Sequence, residues 1–400
     1  MKKIIILFWI LLWTAAVCGQ QTLDYILRAR AFTEAGKPEQ AITLLNRAIS
    51  ETKESRLFNE RAEANILKGD YSGAIGDYNE ANKLTASSGE YGLARIYALK
   101  GDAGTALYHL EMSMKSSLKK SEKEILLDAA FSTIENRQEW RQFWKKDWYS
   151  MTEKSISEIE YYVSIGKIDE AKDLVSDLKK SYDSNADILY AESMVNLATG
   201  KYSEAIKIIS GLSVSYPGNE KYLRILAKAQ SGASDPAGAS TTYSHLLDSG
   251  VADAELFILR ADCYRKTGET DKALSDVSKY LEIYPENITA LGMAGKLEAN
   301  SGDNLHALEY FSKNLKLHPN DPQCYIDRAN SYFISKSWDM AINDYSMSLD
   351  LKPANSDVWL NKGIALLKTG KMEDACHDFR ISFRQGNKRV ADYISRNCIK

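Results

Sequence analysis

The chain has 400 residues, a length that by itself suits two or three globular domains. Its 51 Lys+Arg against 54 Asp+Glu give a net charge of −3, which excludes the strongly basic surface of a nucleic-acid-binding domain. With 44% hydrophobic and 26% charged residues the chain is too apolar for global disorder, and 5 Cys and 5 His leave little material for a metal cluster or a disulfide-dense scaffold.

At the start, Lys2 and Lys3 precede an apolar run from Ile4 to Val17 that only Thr14 interrupts. A membrane-spanning helix takes about 20 apolar residues; this shorter run has the basic start and small-residue end of a secretory leader. Val17 and Gly19 set cleavage after Gly19, so residues 1–19 are expected to be removed. Two alternatives stay open: a lipid anchor on Cys18, although Val17 stands where lipidation wants a small residue, and a retained N-terminal anchor. Two Lys before a short core have a bacterial character and imply export to the periplasm or cell envelope. No later segment is long and apolar enough to span a membrane.

From 22 to 120 the chain shows three loosely periodic units. Gly36, Gly69 and Gly101 end first helices, and Ala41, Ala74 and Ala106 sit near the start of second ones. Between 121 and 151 this pattern breaks. Glu124 to Ile134 is predicted as a closing helix with Leu127, Phe131 and Ile134 on one face. Trp140, Trp144 and Trp148 follow at i, i+4 and i+8 with Phe143 beside them. The stripe reads as core at the joint between two helical groups, the alternative being an aromatic ligand or partner site. Nothing Gly/Ser-rich separates the groups, so the joint is expected to be rigid.

From 152 to 389 the period is strict. Gly166, Gly200, Gly268, Gly302 and Gly370 fall on one 34-residue lattice, with Ser234 and Lys336 in the two places where Gly is missing. Five residues after each lies an Ala: Ala171, Ala205, Ala239, Ala273, Ala307, Ala341 and Ala375. Pro217, Pro285, Pro319 and Pro353 recur on the same lattice. Phe257, Ala261 and Tyr264 share one helical face, and Ala273, Val277 and Tyr280 the inner face of the next helix. Tyr325, Ala329, Tyr332, Ala341 and Tyr345 repeat the arrangement, and Trp359, Gly363, Ala375 and Phe379 complete it in the last unit.

This pattern resembles the tetratricopeptide repeat, a 34-residue helix–turn–helix unit with Trp, Leu-Gly, Tyr, Ala, Phe and Pro at set spacings. The resemblance implies an all-α fold: a right-handed solenoid of about ten repeats, three over 22–120 and seven over 152–389, with junction helices over 121–151 and a capping helix over 390–400. In the family, first helices line a concave groove that holds partner peptides. By register, Lys221, Arg224 and Lys228 form a basic stretch there, joined by Arg265 and Lys266 from the next first helix. It reads either as a clamp for an acidic segment or C-terminal carboxylate or as ordinary surface charge. Ile326, Phe333, Ile364 and Leu367 make a more apolar stretch. The family's chaperone-tail clamp wants Lys and Asn on successive first helices; the Arg224/Lys228 region lacks that Asn set, and Leu259 and Met293 stand where polar groups are needed.

At the C-terminus, a helical hairpin turning at Gly386 brings Cys376 and Cys398 level. A disulfide there would close a 22-residue step, worth about 3 kcal/mol in the loop-entropy account; the alternative is two small buried residues. Cys263 and Cys324 lie two repeats apart and read as core. His109, His245, His306, His318 and His377 are scattered, no phosphate-binding Gly loop occurs, and the acids read as solvated helix faces. The expectation is therefore a non-enzyme with no catalytic, metal or cofactor-binding residues, binding other proteins or peptides and no nucleic acid. Its expected role is an exported interaction scaffold in the assembly or maintenance of an envelope or secretion complex, or else a substrate-capture subunit of an envelope enzyme.

Overall fold

The computed structural model describes residues 20–182 and 185–398; the expected leader, its cleavage site and Cys18 lie outside the described residues. Among the described residues the chain is helix and loop, without a strand. It divides into two compact units, Met1–Leu256 and Phe257–Lys400. This division falls within the run of strict repeats, whereas the break in period at 121–151 lies inside the first unit.

In the first unit three antiparallel pairs come first: α1 (20–34) with α2 (Pro38–Glu51), α3 (Ser55–Lys68) with α4 (Tyr71–Leu84), and α5 (Glu90–Leu99) with α6 (Ala103–Met114). A short α7 (Glu122–Leu126), a 3-10 turn (Ala129–Thr133) and α8 (Gln138–Phe143) follow. Three further pairs complete it: α9 (Met151–Ser164) with α10 (Ile168–Ser181), α11 (Ala186–Ala198) with α12 (Tyr202–Ser215), and α13 (Glu220–Gly232) with α14 (Pro236–Asp248). The second unit carries all but the first two residues of α15 (Glu255–Thr267) with α16 (Thr270–Ile283), then α17 (Ile288–Ser301) with α18 (Asn304–Leu317), α19 (Pro322–Ile334) with α20 (Trp338–Leu351), and α21 (Ser356–Lys368) with α22 (Met372–Arg384). A 3-10 turn (Lys388–Val390) and α23 (Ala391–Asn397) end it.

The closing helix expected over Glu124–Ile134 is two pieces. The Asp128 side chain accepts a hydrogen bond from the Ala130 backbone N–H at 2.9 Å, capping the 3-10 turn and ending α7 before it. Phe131 and Ile134 are buried as expected, but Leu127 is 73% exposed, because the break rotates it off their face. Trp140 and Phe143 are buried and Trp144 and Trp148 partly so; they pack with Ala98, Leu110 and Met114 of the α5–α6 pair. The stripe is a core cluster, although Trp148 reaches it from beyond the end of α8.

Each pair turns through a left-handed residue. Gly36, Gly69, Gly101, Gly166, Gly200, Gly268, Gly302 and Gly370 have φ between 69° and 91°, and the non-glycine places of the lattice do the same, Ser234 at 60° and Lys336 at 61°. At Ser234 and Lys336 the next N–H still bonds back five residues, Asp235 to the Gln230 carbonyl at 2.9 Å and Ser337 to that of Tyr332 at 2.8 Å. That is the Schellman closure of a helix C-terminus. The register thus imposes on two L-residues a conformation that costs each about 1–2 kcal/mol.

Behind each turn the lattice Ala is fully buried; Ala41, Ala74, Ala106, Ala171, Ala205, Ala239, Ala273, Ala307, Ala341 and Ala375 have 0% exposure. They let the two helices of a pair approach. Gly363 shows the same closeness in the last pair, since a Cβ there would stand 2.6 Å from the Phe379 ring.

Buried ion pairs cross four of the pairs at one spacing. Asp77, Asp276, Asp344 and Asp378 are at most 5% exposed and face Arg61, Arg260, Arg328 and Lys362, each sixteen residues earlier. Arg260 makes a two-pronged bond to Asp276 at 2.7 and 2.6 Å, and Arg328 one to Asp344 at 2.7 and 2.8 Å. Lys362 offers Asp378 one contact at 3.3 Å. Burial there outweighs the lysine and raises the Asp378 carboxyl above its ordinary value.

At the chain's end Cys376 and Cys398 form a disulfide across a Cα–Cα distance of 5.5 Å, tying α22 to the residue after α23. Cys263 and Cys324 are buried thiols, and burial pushes the Cys324 thiol up to about 11.

Two stability predictions follow from the turns and the ion pairs. Ser234→Gly and Lys336→Gly are each expected to stabilise by about 0.5–1 kcal/mol, the relief of left-handed strain less the entropy that Gly adds to the unfolded chain. Gly268→Ala, whose Cβ would meet nothing within 4 Å, is expected to cost about 1 kcal/mol. Urea midpoints at unchanged slope measure all three. Lys362→Arg should give Asp378 the two-pronged partner that Arg328 gives Asp344. A carboxyl whose pKa is raised by folding weakens the fold above that pKa and stops doing so below it. The variant is therefore expected to gain about 1 kcal/mol at pH 7, a gain that disappears as acid protonates Asp378; urea midpoints between pH 7 and pH 4 read the difference.

Candidate functional site

The expected basic stretch is placed on two units. In the first, Lys221, Arg224 and Lys228 lie on α13, the first helix of its pair. Lys221 and Lys228 are exposed, and Lys221 Nζ stands 4.0 Å from Glu160 and over the Tyr190 ring. Arg224 is half-buried and pairs at 2.8 Å with both Glu220 and Asp253. Burial works against its charge, but the bonds to Glu220 and Asp253 outweigh it and raise the guanidinium above its ordinary value.

In the second unit, Arg265 and Lys266 on α15 both bind Asp262, at 2.6 and 2.8 Å. Burial pushes the Asp262 carboxyl up, while Lys266 and Arg265 bring it below its usual range. This is a local, compensated cluster on one helix.

The apolar stretch is largely internal packing. Ile326 and Phe333 are half-buried against Ala329, Ala341 and Tyr345, with the Phe333 ring edge-on to Trp338 at 5.1 Å. Ile364 and Leu367 are half-buried in a separate cluster with Leu360, Phe379 and Val390. First helices touch neighbours on both sides, so little of these side chains remains for a partner.

The first unit contains a cleft of about 490 Å³ where first-helix residues of α1, α3 and α13 meet the loop after α14. Arg30, Arg56, Glu60, Glu220 and Arg224 line it, with Ile26 and Asn59. Arg30 Nε donates to Glu60 at 2.9 Å and Nη1 to the Ala252 carbonyl at 2.6 Å. Arg56 Nη1 donates to the Gly250 carbonyl at 2.8 Å, and Nη2 contacts Glu54 at 3.2 Å. Ala252 also packs against Ile26 and its neighbours. Three guanidiniums from three helices thus converge, two of them already holding main-chain carbonyls. Such an arrangement recognises peptide backbone and carboxylate oxygens through charge-assisted bonds.

Register reasoning found Arg224 but not Arg30 or Arg56. The carbonyls these bind are 222 and 194 residues away, and no local pattern encodes that meeting. Among the described residues no group of three or more His, Cys, Asp or Glu is placed to hold a metal ion, and no helix is long and apolar enough to cross a membrane.

The chain is similar to several known proteins. A family model described as tetratricopeptide repeat matches residues 26–89 and 226–288. DnaJ homolog subfamily C member 7 homolog of Schizosaccharomyces pombe is 27% identical over 139 residues, 30% of this chain and 29% of that one. Protein SGT1 homolog of Homo sapiens is 26% identical over 149 residues, 37% of this chain and 41% of that one. The matches thus span less than half the length of these relatives. Among solved structures, the APC/C hetero-tetramer Cut9–Hcn1 covers 94% of this chain and 96% of its own at 13% identity and a TM-score of 0.45. YrrB, a TPR protein with an unusual peptide-binding site, covers 47% of this chain and 97% of its own at 15% identity and a TM-score of 0.39. Successive helix pairs on a 34-residue register and the two matched segments show tetratricopeptide repeats in this chain, an architecture that supports a scaffold for protein–protein contacts.

Proposed function

We propose that the chain is an exported scaffold that holds an extended segment of a partner protein in the first unit's cleft, and that it serves the assembly or maintenance of an envelope or secretion complex. The observation that carries the binding part is the pair of bonds from Arg30 and Arg56 to the Ala252 and Gly250 carbonyls beside open, first-helix-lined space. Guanidiniums that already hold main-chain oxygens extend the same bonding to an incoming strand. Arg224 is the group for an acidic side chain or a terminal carboxylate, in exchange with Glu220 and Asp253. Lys221 and Lys228, exposed on the same helix, add attraction for an acidic segment.

Export is supported by the leader pattern of residues 1–19 and by the Cys376–Cys398 bond, since disulfides persist in oxidising compartments. Protein recovered from its own cells is expected to have lost residues 1–19 and to carry two free thiols, those of Cys263 and Cys324. An intact mass that includes a lipid on Cys18 would replace cleavage after Gly19 by a membrane-anchored form. Four free thiols would count against export.

The binding reading is tested by affinity capture from envelope extract. Arg56→Glu with Arg224→Glu is expected to lose the partners that the unaltered chain captures. Arg224→Glu with Lys228→Glu leaves the Arg56 bond to Gly250 intact and is expected to weaken capture at least tenfold. Unchanged recovery of every partner by both variants, with unchanged thermal melting, overturns the cleft assignment. Recovery of a single hydrolase or transferase in place of several structural partners would make the chain a substrate-capture subunit.

A further inference from the structure

The second unit has a cleft of a different chemistry at its C-terminal end. It lies between α22 and α23, has a volume of about 530 Å³, and is lined by His377, Arg380, Phe383 and Arg384 on one wall and Ala391, Ile394 and Ser395 on the other. That volume is in the ordinary range for a small-molecule site, roughly 300–1,000 Å³. His377, Arg380 and Arg384 stand at i, i+3 and i+7 on α22, one face of the helix. Phe383 is 51% exposed, and its ring together with Ile394 and Ala391 gives the cleft an apolar floor.

Three cations of this region are paired, Arg389 with Asp357, Arg396 with Asp392 and Lys371 with Asp339. Arg380 and Arg384 make no ion pair among the described residues, and no carboxylate lines the cleft. Two like charges at i, i+4 repel each other on a helix, and a carboxylate placed between them removes that repulsion. The walls are held before any ligand arrives. The Cys376–Cys398 bond joins them at one end. At the other, Asn387 donates to Asp357 at 2.9 Å, fixing the turn between the helices. A site held in this way loses little freedom on binding.

We propose that this cleft binds a small amphiphilic carboxylate of the medium-chain fatty-acid type, its head between Arg380 and Arg384 and its chain along Phe383 and Ile394. Two guanidiniums match a single carboxylate. The apolar floor supplies the remainder of the binding free energy, and no amide side chain or acid in the lining asks for a more polar ligand. The inference is independent of the cleft in the first unit.

Titration calorimetry of the full mature chain with decanoate, kept below its micelle concentration, tests the proposal. Saturable binding of one decanoate per chain is expected. Arg380→Gln with Arg384→Gln, both exposed positions, is expected to weaken it at least tenfold, Phe383→Ser several-fold, and decanamide in place of decanoate at least tenfold. Arg56→Glu with Arg224→Glu is expected to leave decanoate binding unchanged, so failure of the peptide cleft and failure of this site are read separately. Absence of saturable binding overturns the proposal, as does equal affinity for decanamide or unchanged affinity in the double Arg variant. An acetylated tetrapeptide ending in Leu with a free carboxylate, competing with decanoate and binding more tightly, would overturn the fatty-acid assignment in favour of a polypeptide C-terminus.

Discussion

The close approach of the two helices within each pair, made at a fully buried alanine, is the constraint on which the other regularities depend. Helices packed through Ala or Gly lie nearer one another than helices packed through Leu or Phe. A short, tight turn must then join them, and the tight turn requires one residue in the left-handed region. The backbone enforces this even on Ser234 and Lys336. Once the turn is fixed, residues equally far before and after it stand level in the antiparallel pair. Arg260 and Asp276 lie eight residues either side of Gly268, Arg328 and Asp344 eight either side of Lys336, and Arg61 and Asp77 eight either side of Gly69. The buried ion pairs are thus a consequence of the turn as much as a device in their own right. Nearly the same symmetry about Gly386 brings Cys376 and Cys398 within bonding distance.

That dependence explains how much of the fold could be read from the chain. A contact that recurs every 34 residues leaves seven aligned Ala in the sequence, and each supports the others. The sixteen-residue Arg–Asp spacing was equally present, and is recognisable only once the turn is treated as a centre of symmetry. Between 121 and 151 nothing repeats, so a single local preference decides. The Asp128 side chain caps a 3-10 turn, and its hydrogen bond competes successfully with continuation of α7. The apolar pattern of Leu127, Phe131 and Ile134 fits a helix, yet the core is satisfied by Phe131 and Ile134 alone.

Candidate sites were less legible, for two separate physical reasons. Register assigns a residue to the first-helix face but does not say how much of it the adjacent helices cover. Ile326, Phe333, Ile364 and Leu367 have the expected register and are half-buried in their own clusters. Arg224 stands on its expected helix, yet its chemistry is set by Glu220 one turn away and by Asp253 beyond the next helix. The cleft it lines needs Arg30 and Arg56, and their meeting with residues 250–252 is a matter of how six helix pairs and a junction curve within the first unit. Small rotations between successive pairs accumulate into that curvature, and no single residue specifies it.

The state of each cation then separates structural from binding roles. Arg260 and Arg328 face buried carboxylates, and removing either would leave an uncompensated charge in the core, at a cost of about 3–5 kcal/mol; such residues are unavailable to a partner. Arg265 and Lys266 share Asp262 at the surface, where pairs contribute about 0–1 kcal/mol and exchange readily with a competing anion. Arg30 and Arg56 each divide their bonds between a carboxylate, Glu60 or Glu54, and a main-chain carbonyl; the carbonyl is a neutral acceptor that an incoming carboxylate outcompetes because its bonds to a guanidinium are charge-assisted. Among the described residues Arg380 and Arg384 have no acid to displace, and an apolar surface lies beside them. Ordered in this way, the freedom of a cation to accept a new anion rises from the buried pairs to the two clefts. Near-neutral composition conceals that order, because it counts charges without their partners. In a scaffold built of similar repeats, where backbone geometry hardly varies from one pair to the next, the pairing state of the side chains is what makes one surface different from another.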